Sequence, residues 1–164
     1  MPGTGGTPAT VLLTSSGIDF TIHPYDHNPR AESYGLQAAT ALGVEPGRVY
    51  KTLLVDLDTE LVVGIVPVTT LLDLKALAQT LGGKKAQMAD PAAAQRATGY
   101  VVGGISPIGQ RRQHRTVLDA SAADWPTVYV SGGRRGLDVE LTPNALVAAT
   151  GAVTATIARD VSRS

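Results

Sequence analysis

Lys51 stands in the run Val49-Tyr50-Lys51-Thr52-Leu53-Leu54-Val55, where a period of two sets it on one face with Val49, Leu53 and Val55. That face is apolar except for an amine. As a strand-edge charge the amine would discourage aggregation or snorkel to water. Held at the rim of a pocket, it would favour a phosphate or a carbonyl oxygen, the more strongly as water is excluded. The strand alone leaves both readings open.

Two glycine-rich segments come next. Gly103-Gly104-Ile105-Ser106-Pro107-Ile108-Gly109-Gln110 runs into the basic cluster Arg111-Arg112-Gln113-His114-Arg115, so exposed backbone N–H groups and positive charge sit together, a combination suited to an anion. It is not a Walker A loop, because Gln110-Arg111 replaces the required Lys-Ser/Thr pair. Ser131-Gly132-Gly133-Arg134-Arg135-Gly136 repeats the theme and leads to Asp138. Taken singly, each segment reads first as a tight turn carrying solvated charges. His23 and His27 would lie about 13 Å apart in an extended chain, too far for one metal with bonds of about 2 Å. Pro24 opposes the helix that would bring them together. No metal and no cofactor is expected. A Ser-His-Asp set drawn from Ser106 or Ser131, His114 and Asp138 lacks the Gly-x-Ser-x-Gly elbow that would support it.

Several elements must position these groups. Thr7-Pro8 opens a helix to about residue 16, closed by Gly17. A strand is expected over 18–25 and a helix over 33–42. Residues 49–57 and 61–68 read as adjacent antiparallel strands, separated by Asp58-Thr59-Glu60. Leu71, Leu72, Leu74, Leu77, Ala78 and Leu81 repeat with helical spacing up to Gly82-Gly83. Asp90-Pro91 caps a helix to residue 98, and 143–150 is a last helix. Further strands are expected over 100–102, 116–118, 128–130, 137–141 and 153–157, with loops over 103–110 and 131–136. The fold class is therefore α+β, a mixed sheet with several small helices packed on it. Residues 1–7 are expected to be a flexible leader, 8–160 one domain and 161–164 a tail.

The composition excludes several function classes. The chain has 164 residues, no cysteine, and 14 basic residues against 14 acidic ones. Disulfides, thiolate metal sites and a cysteine nucleophile are absent. Any nucleic-acid contact must come from a local basic patch, not from the field of the whole protein. No basic region precedes the short apolar run Val11-Leu12-Leu13, and no apolar stretch reaches the roughly 18 residues of a membrane span, so a cytoplasmic protein is expected.

Together these segments form a recognisable set. Val49-Tyr50-Lys51-Thr52-Leu53, Leu72-Asp73-Leu74-Lys75, Met88-Ala89-Asp90-Pro91, Ala94-Gln95-Arg96-Ala97-Thr98-Gly99-Tyr100, the loop from Gly103 and the stretch Tyr129-Val130-Ser131-Gly132-Gly133-Arg134-Arg135-Gly136-Leu137-Asp138 closely resemble the YbaK family of aminoacyl-tRNA deacylases, in order and spacing across nearly the whole chain. The resemblance implies a barrel-like, mostly antiparallel mixed sheet with a pocket for the aminoacylated terminal adenosine. It implies Lys51 as the essential lysine, near the ester and terminal phosphate, and Asp138 as the partner of the α-ammonium. Tyr25, Tyr34, Ser131 and Gly132 would line the pocket with the loop Gly103, Gly104, Ile105, Ser106 and Pro107. Arg111, Arg112, Arg134 and Arg135 would meet tRNA phosphates.

The nearest relatives implied are Cys-tRNA(Pro) deacylases, in which the substrate's own thiol attacks the ester and the protein supplies no nucleophile. Prolyl-tRNA synthetase is the implied partner, since so few phosphate contacts give weak affinity for the tRNA body. An Ala-tRNA(Pro) deacylase, a non-catalytic binder of tRNA ends and a generic phosphate-binding protein remain as alternatives.

Overall fold

The computed structural model describes residues 6–28 and 34–161. Expectations for residues 1–5, for Ser33 as a helix start and for 162–164 lie outside the described residues. The chain order is α1 (Pro8–Ser15), β1 (Thr21–Pro24), α2 (Tyr34–Leu42), β2 (Tyr50–Leu57), β3 (Glu60–Pro67), β4 (Thr70–Leu72), α3 (Leu74–Leu81), β5 (Ala86–Met88), α4 (Pro91–Thr98), β6 (Thr116–Asp119), β7 (Val128–Arg134), β8 (Leu137–Leu141), α5 (Pro143–Thr150), β9 (Val153–Ala155) and β10 (Ala158–Asp160).

The expected hairpin forms, with Tyr50 opposite Pro67 and Leu57 opposite Glu60. Asp58 turns the chain at φ 58°, and its carboxylate accepts the N–H groups of Lys84 and Lys85. β3 is apolar almost throughout because it is covered on both sides. Val63 and Ile65 enter one cluster with Tyr50, Leu54, Leu118 and Val130. Val62 and Val66 enter another with Val55, Leu57, Leu77 and Ile157.

The sheet is mixed and mostly antiparallel. Five strands run in the order β5-β2-β3-β6-β9, three as β1-β8-β7 and two as β10-β4. Among the strand pairs of the described residues, only β3–β6 and β6–β9 are parallel. An isolated bridge from Val49 to Tyr129 links the first two groups. Among the described residues these sheets do not close into a barrel, which corrects that part of the expectation.

Three local expectations also change. Leu71 and Leu72 belong to β4, and the helix begins only at Leu74, because Asp73 is its N-cap and accepts the Ala76 N–H. Residues 100–102 form no strand: Tyr100 is buried with its hydroxyl donating to Ile108 O, while Val101 and Val102 are exposed. The expected loop over 131–136 is mostly strand, since β7 continues to Arg134 through a register shift between Ser131 and Arg134.

Asp119 ties the ends of this architecture together. One carboxylate oxygen accepts the N–H groups of Ile157 and Ala158 and the other that of Ser121, in a residue only 4% exposed. Asp119→Ala is expected to cost about 3 kcal/mol, because it strands buried donors. Urea unfolding measures the loss, and a change below about 0.5 kcal/mol would contradict it.

Candidate active site

β2 has a partner along its whole length on one side but not on the other. β3 pairs with it from Tyr50 to Leu57, whereas β5 reaches only Val55 to Leu57. β7 touches its opposite end through the Val49–Tyr129 bridge. Between β7 and β5 the edge of β2 is uncovered, and a cleft of about 340 Å³ opens there. Val68 N donates to Val49 O, so odd residues bond toward β3; Leu54, an even residue, accepts Ala89 N on the other side. Thr52, also even, therefore turns its peptide N–H and C=O toward the cleft.

The walls come from distant parts of the chain. β2 supplies Lys51 and Thr52; the segments after β1 and at the start of α2 supply Tyr25 and Tyr34. Gly103 and Ile105 enter from the loop between α4 and β6, Ser131 from β7 and Asp138 from β8. Val49, Leu53, Val68, Met88 and Ala89 make much of the remaining wall apolar.

The placement of Asp138 follows from strand alternation. Leu137, Val139 and Leu141 of β8 are buried, the last two in one cluster with Val128 and Val130 of β7. The intervening residues face the opposite side, where His23, Asp138 and Ser131 stand directly across from one another on β1, β8 and β7. Beside that row, His23 Nε2 lies 2.8 Å from Glu140 Oε1, and Arg48 stacks 5.2 Å over Tyr129. These contacts fix the sheet next to the cleft.

Two charges of opposite sign face this space, and no ion pair among the described residues includes either. Burial holds the half-buried Lys51 amine below the ordinary lysine pKa. Burial pushes the Asp138 carboxyl up to about 7, with only 5% of the residue exposed. Tyr25 rises to about 12, first through burial and then through the Asp138 charge, so it stays protonated as a hydrogen-bond donor. A cation and an acid near its midpoint, on apolar walls, suit a small zwitterionic or ester-bearing ligand.

The other expected site residues lie elsewhere. Gly104, Ser106, Pro107 and Gly132 do not line the cleft. Gly104 packs on the Arg134–Arg135 backbone, where a Cβ would approach within 2.8 Å, and Gly132 packs on Leu137. Ser106 is fully buried, its hydroxyl accepting Ile108 N. Pro107, Arg112 and His114 line a second cavity of about 300 Å³. His114 Nδ1 lies 2.7 Å from Gln110 Oε1, so no Ser-His-Asp set assembles from it.

Arg111 is exposed and reaches Arg96 O at 3.4 Å; Arg134 is exposed on β7. Arg135 stacks 5.1 Å over Tyr34 and donates to Val102 O. Among the described residues no three His, Asp or Glu side chains converge as a metal would need. None of their helices is long and apolar enough to cross a membrane.

Thr52 escaped the sequence reading. Its hydroxyl is the one buried side-chain polar atom without a hydrogen-bond partner among the described residues, and the residue is among those lining the cleft. A hydroxyl next to Lys51, in a strand that is apolar over most of its length, was the available signal.

Residues 29–149 match the family model for the aminoacyl-tRNA editing domain. A protein of Enterococcus faecalis named "Putative Cys-tRNA(Pro)/Cys-tRNA(Cys) deacylase EbsC" is 42% identical over 113 residues, 68% of this chain and 69% of that protein. A solved structure described as a "putative trans-editing enzyme for prolyl tRNA synthetase" superposes with a TM-score of 0.85 at 24% identity, over 97% of this chain and 99% of that one. A hypothetical protein of known structure superposes with a TM-score of 0.83 at 25% identity, over 93% of this chain and 99% of that one. The likeness at 24% identity carries the fold alone.

Proposed function

Since the chain belongs to the aminoacyl-tRNA editing domain family, we propose that it removes cysteine from mischarged Cys-tRNA(Pro). The observation that carries this reading is the presence of Lys51 and Asp138 in one cleft, each without a counter-ion among the described residues. An aminoacyl ester supplies both complements, an α-ammonium for Asp138 and a carbonyl oxygen or terminal phosphate for Lys51. The cleft volume lies at the low end for small-ligand sites, enough for an aminoacylated nucleoside and not for the body of a tRNA.

The chemistry is intramolecular. The cysteinyl thiol, losing its proton, attacks the ester carbonyl; the C–S bond forms, the ester C–O bond breaks, and the ribose oxygen takes up a proton. Products are a cyclic thiolactone and free tRNA. The protein orients the thiol, an effect worth up to about 7–11 kcal/mol in favourable cases. Lys51 stabilises charge on the carbonyl oxygen, and the Thr52 peptide N–H is a second donor facing the same space. Zero net charge and a short basic patch support weak affinity for tRNA alone, and so an association with prolyl-tRNA synthetase in the cytoplasm.

Deacylation of tRNA(Pro) charged separately with cysteine, alanine and proline, with and without the synthetase, tests the proposal. Release of cysteine as thiolactone is expected, with proline retained. Preferential release of alanine would move the activity to a water-dependent reaction, and release of none would leave a binding module.

A further inference from the structure

The first turn of α1 is wedged between the two glycine-rich segments, ahead of the part of the chain that the family model matches. Thr7 does two things there. As N-cap its hydroxyl accepts Thr10 N, and the same hydroxyl donates to Gly132 O, inside the β7 register shift. Beside it, Gly133 holds φ 108°, and a Cβ there would come within 2.9 Å of Thr7 Cβ and of the Tyr100 ring.

Tyr100 links the same turn to the other segment. Its ring lies in the same core cluster as Ala9, and its hydroxyl donates to Ile108 O at 2.7 Å. Gly109 meets the Pro8 carbonyl so closely that a Cβ would lie 2.7 Å from it. Ala9 and Leu13 are fully buried, so the helix that carries this turn is anchored in the core. Ser131 begins the register shift on one side, and Gly103 and Ile105 open the loop on the other; all three line the cleft.

We propose that Thr7 and Tyr100 are positioning residues, which clamp the two glycine-rich segments to α1 and so set the distance across the cleft between the Gly103 side and the Ser131–Asp138 side. Neither touches the cleft; they act through the Gly132 and Ile108 carbonyls. The kinetic part of the inference rests on the deacylase reading, the structural part does not.

Three variants separate positioning from plain stability. Thr7→Ser keeps both cap and donor. Thr7→Asp keeps the cap but turns a carboxylate on the Gly132 carbonyl. Tyr100→Phe removes only the hydroxyl. Thr7→Asp and Tyr100→Phe are expected to lower kcat for Cys-tRNA(Pro) about tenfold with KM within about twofold, because a misplaced wall spoils orientation more than binding. Thr7→Ser should match the wild type.

Amide hydrogen exchange is read in parallel. It should quicken over 131–136 in Thr7→Asp and over 106–109 in Tyr100→Phe, and in neither segment in Thr7→Ser. Wild-type kcat with unchanged exchange in both impaired variants would overturn the clamp, as would equal losses in all three that track Tm alone. Were the wild type inactive on every charged tRNA, the deacylase reading would fall while the exchange pattern still decided the clamp.

Discussion

Lys51→Ala is expected to reduce kcat/KM for Cys-tRNA(Pro) deacylation by about 10²–10³-fold, the size of effect that follows removal of one preorganised charge or oxyanion donor. The amine is already half desolvated and has no ion-pair partner among the described residues, so little reorganisation precedes its use. Lys51→Met separates charge from bulk, because it keeps an unbranched apolar stem against the cleft wall.

Stability should move the other way. A lysine whose folded pKa is depressed binds its proton less tightly in the folded state, so its cost is fully present below that pKa and fades as pH rises toward the unfolded value near 10.5. At pH 7 the Met variant should therefore unfold at the same temperature or higher. Activity within threefold of wild type, in a variant with native Tm, would remove Lys51 from the mechanism.

Asp138→Asn carries the second large effect, a fall of about 10–100-fold in kcat/KM at pH 8, where the carboxylate is the form that meets an ammonium. The wild-type profile should rise through the Asp138 pKa near 7, and the Asn variant should lose that limb. The folded pKa is raised above the unfolded value of 3.8, so the native state holds the extra proton between those pH values. Native stability consequently declines as pH climbs from about 4 to about 7, and the whole penalty is present above that. Asn escapes it, so the variant should be more stable than wild type by several kcal/mol at pH 8 and by little at pH 4. Urea unfolding at both pH values checks the sign; equal stability gaps would show that Asp138 is not strained by burial.

The residues that position the site were legible where long elements carry alternation. Leu137-Asp138-Val139-Glu140-Leu141 alternates because one side of β8 packs on the core, so the strand was legible, whereas the side that Asp138 faces was not read from it. β2 and β3 announced themselves through long apolar runs. Short elements did not. β4, β5 and β10 have three residues each and exist through pairing with distant chain, which no local period encodes, whereas β9, equally short, falls at the start of the strand expected over 153–157. Tyr100-Val101-Val102 has the composition of a strand, yet Tyr100 is committed to Ile108 and no strand pairs with the segment. Gly132 and Gly133 read as a loop because glycine weakens strands, whereas here they sit within a register shift of one. Thr52 was passed over for a related reason: only the tertiary gap between β5 and β7 shows that its edge is open.

That open edge carries a hazard of its own. Peptide groups left bare along a strand are a template for another chain, and most proteins cover or charge them to prevent intermolecular stacking. Under the proposed function the substrate would enter at the same place, so covering is not available, and a positive side chain next to the gap repels a second, identical edge. The two readings that Lys51 invites from sequence, guardian against self-association and ligand for an anion, need not compete: one ammonium serves both, and solutions of charge-removed protein should be watched for concentration-dependent aggregation as closely as for lost turnover.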